Sequence, residues 1–86
     1  MADNVKAVSI GNTATQIVGL KQKRKVLAFH NNGTETIFLG MDNTVTVNDG
    51  FPLLEDAYIV YDLKADPFWG IVASGTQELR VWEDER

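Results

Sequence analysis

His30 is the only histidine in the 86 residues, and the chain contains no cysteine. Those two counts limit the chemistry sharply. Zinc, copper and iron sites are built from several nitrogen or sulfur ligands, and His30 has no second His and no Cys to join it. A Ser-His-Asp arrangement would have to combine His30 with Ser9 or Ser74, and neither serine lies in a nucleophile-elbow sequence. Followed directly by Asn31 and Asn32, His30 reads as a half-exposed residue beside a turn.

Carboxylates are more plentiful, yet Asp3, Asp42, Asp49, Glu55, Asp56, Asp66 and Asp84 fall at turns or at a terminus, where side-chain to backbone hydrogen bonding accounts for them. Asp42, Asn43, Asn48 and Asp49 carry oxygen ligands of the kind calcium accepts. They flank the run Thr44-Val45-Thr46-Val47, and a strand of that length sets the two turns about 13 Å apart. The glycine-containing turns precede no helix and no phosphate-loop lysine, so they form no nucleotide cradle. We therefore expect no enzyme, no catalytic residue, no metal and no cofactor.

Two other clusters have binding potential. Lys21, Lys23, Arg24 and Lys25 put four cations into five residues. A solvated loop, whose lysines also discourage edge-to-edge strand pairing, is the first reading, and a basic contact loop for a partner or nucleic acid is the second. Trp69 and Trp82 fall on consecutive strand candidates and are read first as a core pair. Tryptophan and tyrosine are also favoured contact residues, so Phe51, Tyr61, Trp69 and Trp82 are the candidates for an oligomer or partner interface.

The elements that would carry these residues are short strands. Asn32-Gly33 signals a tight hairpin between Val26-Leu27-Ala28-Phe29 and Ile37-Phe38-Leu39, and Asp42-Asn43 leads into a third strand, Thr44–Val47, giving a meander. Further strands are expected over 5–10, 13–18, 57–62, 68–73 and 77–83, the last two joined as a hairpin by Ser74-Gly75-Thr76. Pro52 marks an edge, a bulge or a crossing between sheets, and Gly40 and Gly70 mark bulges or close backbone approaches. No segment sustains a helical period. The expected fold is all-β: a small antiparallel β-sandwich or jelly-roll-like barrel of seven to eight short strands, a single domain over residues 1–86.

At this length only about 60% of the unfolded surface can be buried, and no disulfide supplements the core. Several strands are apolar on both faces, so one sheet face needs a neighbour that the chain itself can hardly provide. This points to self-association. No apolar stretch approaches the ~20 residues of a membrane span, and Met1-Ala2-Asp3-Asn4 lacks the pattern of a signal peptide, so a soluble protein with no membrane partner is expected. A net charge of −4 opposes general attraction to nucleic acid.

The spacing of Gly33, Ile37, Gly40 and Asp42, then Val45-Thr46 with Gly50, Pro52 and Leu53, then Trp69 and Ser74-Gly75-Thr76 with Leu79, Arg80 and Val81, resembles small β-sandwich virion proteins of tailed bacteriophages. The resemblance covers about two thirds of the chain. Such proteins are decoration or cement proteins, head-fibre bases or tail accessory modules, usually trimers or other rings, and no catalytic motif transfers from them. It implies a homo-oligomer, a trimer first, made in the host cytoplasm, located in the virion, and bound to the major capsid protein or another virion component. The rival expectations are a carbohydrate- or receptor-binding module of a tail or fibre, stacking sugars on Trp69, Trp82, Tyr58 or Tyr61, and a small nucleic-acid-binding barrel using the basic loop.

Overall fold

Apolar residues that alternate with polar ones, cut every few positions by Asn, Asp or Gly, can bury one face of a short strand and little else. The computed structural model of the protein describes residues 3–20, 24–62 and 66–85. Eight strands form: β1 (Asp3–Ile10), β2 (Thr15–Val18), β3 (Arg24–Asn31), β4 (Ile37–Gly40), β5 (Phe51–Leu53), β6 (Tyr58–Asp62), β7 (Phe68–Ile71) and β8 (Gln77–Glu85). They make two antiparallel four-stranded sheets, sheet A in the order β1-β8-β3-β6 and sheet B in the order β2-β7-β4-β5. That order is a jelly roll, two Greek keys folded into a sandwich. The β-sandwich expected from the sequence is the fold observed.

Alternate residues of each strand fill the space between the sheets. Leu27 and Phe29 of β3, Leu79 and Val81 of β8, and Ile37 and Leu39 of β4 belong to one buried cluster with Phe68 of β7. The ring of Phe29 meets Phe68 edge-on at 5.3 Å, and Tyr61 of β6 stacks on Phe68 at 5.0 Å. Gly70 faces inward beside them, where a Cβ would come within 3.2–3.5 Å of Ile17, Ile37 and Ile10. Close backbone approach, one of the two roles expected of this glycine, is the one it has.

The local pairings differ from the expected ones. Every sequential connection except β4 to β5 joins strands of different sheets. The Asn32-Gly33 turn therefore does not close a hairpin: β3 lies in sheet A and β4 in sheet B. Asn31 sets this corner. Fully buried, its side-chain amide donates to the carbonyls of Glu35 (2.8 Å) and Leu53 (3.0 Å) and its carbonyl accepts from the Gly33 N–H, so the chain is steered across the sandwich. Likewise Ser74-Gly75-Thr76 carries the chain from sheet B to sheet A, with Gly75 at φ 69°, a conformation a side chain would oppose. Neither the meander nor the terminal hairpin exists.

Thr44–Val47 is not a strand. Residues 41–50 form a turn-rich loop that folds back onto the outer face of sheet B, where Val45 is buried outside the main core. Gly40 is what lets it dock, since a Cβ there would sit 2.6 Å from the Val45 Cβ. At the other end of the loop, a Cβ on Gly50 would meet the Phe38 Cβ at the same distance. Gly40→Val is expected to cost about 1–3 kcal/mol of stability, because loop or strand must shift to admit the branched side chain. Urea unfolding checks this, and an unchanged midpoint would contradict the docking of Val45. Pro52 lies in β5, the edge strand of sheet B, consistent with its missing N–H donor.

Candidate interaction surface

The two sheets expose their outer faces unequally. Sheet B has the loop 41–50 over part of its outer face, whereas no segment of the described chain folds back over sheet A. Sheet A keeps its edge strands β1 and β6 outermost and β8 and β3 in the middle, so the register lines up outward-facing residues across all four strands. One such row runs Val5, Trp82, Ala28, Val60. The row on one side runs Ala7, Arg80, His30, Tyr58, and the row on the other holds Asp84, Val26 and Asp62.

The central row is apolar throughout and stands in water. Val5 is 71% exposed, Val60 54% and Trp82 47%, with Tyr58 at 75% in the adjoining row. These four are half of the exposed large hydrophobic residues among those described. A shallow groove of about 370 Å³ runs between them, floored by Ala28 and bordered by Arg80 and His30. Contiguous apolar surface rimmed by polar groups marks interaction sites on soluble proteins, whereas scattered exposed apolar residues do not. The rims are polar and partly engaged: Arg80 pairs with Glu78, and His30 Nε2 lies 3.0 Å from Asp56 Oδ1.

The four aromatic residues nominated from the sequence occupy three different places. Trp82 is in the sheet A row. Trp69 points outward from β7 on sheet B, half-buried and in register with Gly40, so the two indoles lie on different sheets and form no core pair. The reason is parity: Phe68 and Val81, their immediate neighbours, hold the inward positions. Tyr61 packs against the core through Phe29 and Phe68. With the exposed Phe51 it lines a separate cleft of about 310 Å³ at the rim of the sandwich, which Met41 and Asp49 also border. Tyr58, Val60 and Val5 were not among the nominated interface residues, although alternation along 58–62 already placed Tyr58 and Val60 on a shared face.

Arg24 is no part of an exposed basic loop. It is buried, its Nε donating to Glu83 Oε2 at 3.0 Å, with the two terminal nitrogens donating to the carbonyls of Asp66 (3.0 Å) and Gly19 (2.8 Å). A register shift between Arg24 and Val26 turns the arginine inward, which a charge count along the chain cannot show. Lys21 and Lys23 lie outside the described residues, as does the side chain of Lys25, whose backbone belongs to β3.

Asp42 and Asp49 do not stand at opposite ends of a strand, since the segment between them is a loop; they are near enough for the charge of Asp42 to act on Asp49. Each is satisfied locally. The Thr44 hydroxyl and N–H hold the Asp42 carboxyl below the usual carboxylate range, and the Thr46 N–H and hydroxyl do the same for Asp49. These contacts favour the folded loop above the ordinary carboxylate pKa of about 4 and are lost as pH falls below it. Amide exchange of Thr44 and Thr46 is accordingly expected to lose protection between pH values of about 5 and 2, after correction for intrinsic rates. Among the described residues, no group of three or more His, Cys, Asp or Glu could hold a metal ion.

No protein-family model matches the chain, and neither does any curated protein. Among solved structures it is similar to a dTDP-4-dehydrorhamnose 3,5-epimerase from Bacillus anthracis str. Ames with TDP and PPi bound, at 14% identity and a TM-score of 0.57. The match covers 100% of this chain and 53% of the epimerase chain, so this chain spans about half its length. At that identity the likeness is one of fold.

Proposed function

We propose that the chain is a non-enzymatic structural module of a bacteriophage particle, which binds copies of itself and, as an assembly, a larger virion surface. One observation supports self-association above all: a row of apolar side chains crosses the whole of sheet A in water, while the loop 41–50 lies over sheet B. The virion role is an extension from the sequence resemblance. In that role the module would add contact area between subunits of the particle, with many copies compensating for modest individual affinity.

Molar mass followed by sedimentation across a dilution series, together with mass spectrometry of purified phage particles from a producing lysate, tests the reading. Mass above that of one chain, and the protein among particle components, would support it. A monomer at every concentration that is also missing from particles would end it.

A second reading is favoured by Trp82 and Tyr58, which stand exposed on one face with Arg80 and His30 beside them. An aromatic platform bordered by hydrogen-bonding groups also suits a sugar ring. Glycan binding by a monomeric protein, lost in Trp82→Ala, would move the assignment to a carbohydrate-binding module of a tail or fibre.

A further inference from the structure

We infer that the outer face of sheet A takes a second copy of this chain, stacked face to face about a twofold axis that runs across the strands through Trp82. The inference rests on the self-association proposed above and specifies its geometry.

The order of charges along β8 carries it. Arg80, Trp82 and Asp84 alternate outward from one strand, with Trp82 midway between a cation and an anion. A twofold axis along the central row leaves each strand over its own counterpart but reverses its direction. Trp82 then lies over Trp82 of the second copy, and Arg80 lies over its Asp84. By symmetry the reverse contact forms as well, so one surface supplies both halves of two ion pairs. The adjoining strands repeat the pattern: Tyr58 of β6 falls over Asp62 of the second copy, a phenol opposite a carboxylate. An axis along the strands would instead stack Arg80 rows upon each other, and acidic rows likewise.

Each group has capacity for the new contact. Arg80 uses Nε on Glu78, leaving its two terminal nitrogens in reach of a second carboxylate. Asp84 is half-buried, and the chain itself leaves its Oδ1 without a hydrogen-bond partner. Area is sufficient too. A stable interface buries about 800 Å² per partner, and the molecule extends 36 × 23 × 16 Å, so a sandwich face offers an expanse of that order. Stacked sheets pack at about −30° with interdigitating side chains, which keeps the β8 contacts near the axis and loosens those at β1 and β6. Closure by a twofold makes a dimer the first unit of assembly, in place of the trimer implied by the resemblance.

The test is charge reversal with mixing. Arg80→Asp makes the outer face of β8 acidic at both positions, and Asp84→Arg makes it basic at both. Each variant alone is expected to associate at least ~100-fold more weakly than wild type, and an equimolar mixture is expected to recover pairing, because every reversed contact becomes opposite-charged again. Wild-type association unaffected by either reversal, or reversal without rescue on mixing, would overturn this geometry and leave self-association standing. A wild-type chain monomeric at all concentrations would overturn both. Circular dichroism monitors folding of each variant, and if Asp84→Arg does not fold, the isosteric Asp84→Asn is expected to weaken pairing about 10-fold, with an unchanged dissociation constant counting against the model of pairing.

Discussion

Arg24→Ala is expected to lower the stability of the fold by about 3–5 kcal/mol, the usual consequence of leaving one member of a buried ion pair without its partner. The guanidinium does more than neutralise Glu83. By donating to the carbonyls of Gly19 and Asp66 it ties the segments after β2 and before β7 to the central strands of sheet A. Alanine would strand the Glu83 carboxylate inside the sandwich and leave two carbonyls without their donor. For a chain of this size such a loss is a large share of the total stability, so partial unfolding at room temperature is the expected phenotype. Replacing both partners with apolar residues of similar volume, Arg24→Met with Glu83→Leu, is expected to recover most of the loss. Chemical denaturation of both variants decides it; a single variant as stable as wild type would show that the pair is not what closes this end of the sandwich.

Trp82→Glu is expected to leave the folded monomer within about 0.5 kcal/mol of wild type, because the indole stands outside the core. Its effect belongs to association. A tryptophan at the centre of an interface commonly contributes about 2–4 kcal/mol, so the dissociation constant should rise by roughly 30- to 1000-fold. Val5, Ala28 and Val60 in the same row would lose the large side chain that keeps water from between the two faces. Equilibrium sedimentation of the variant beside wild type measures the shift. Thermal unfolding of dilute samples separates it from a folding defect.

Short-range information read well in this chain, and long-range pairing read poorly. Alternation grouped Leu27 with Phe29 and Leu79 with Val81, pairs that the fold buries, and the edge was one of three places open to Pro52, because shared faces follow from the pleat alone. Asn32-Gly33 and Ser74-Gly75-Thr76 were legible as reversals, but a reversal within one sheet and a passage to the facing sheet can share the same turn residues. What separates them here is the buried Asn31 side chain, whose partners Glu35 and Leu53 come together only in the finished fold. Thr44–Val47 had the β-branched composition of a strand, yet the hydrogen bonds from Thr44 to Asp42 and from Thr46 to Asp49 favour a loop.

The same contrast holds for the surface. Trp82 and Trp69 were read first as a core pair and second as contact residues, yet both point outward, Trp82 on sheet A and Trp69 on sheet B. Arg24 was placed with its cationic neighbours because the register shift beside it leaves no trace in composition. Its partner did leave one. Glu83 continues the inward alternation of Leu79 and Val81, and an acid in a core-facing position calls for a buried cation. The row Val5, Trp82, Ala28, Val60 could not be assembled without the strand order, since its members come from four separated parts of the chain.

The most direct test of the apolar face is the accessibility of Trp82 itself as the chain is concentrated. With Trp69→Phe leaving a single indole, acrylamide quenching of Trp82 fluorescence should be efficient in dilute solution and fall as association covers sheet A. Quenching that stays equally strong while the molar mass rises would place the contact elsewhere and contradict the assignment of this face.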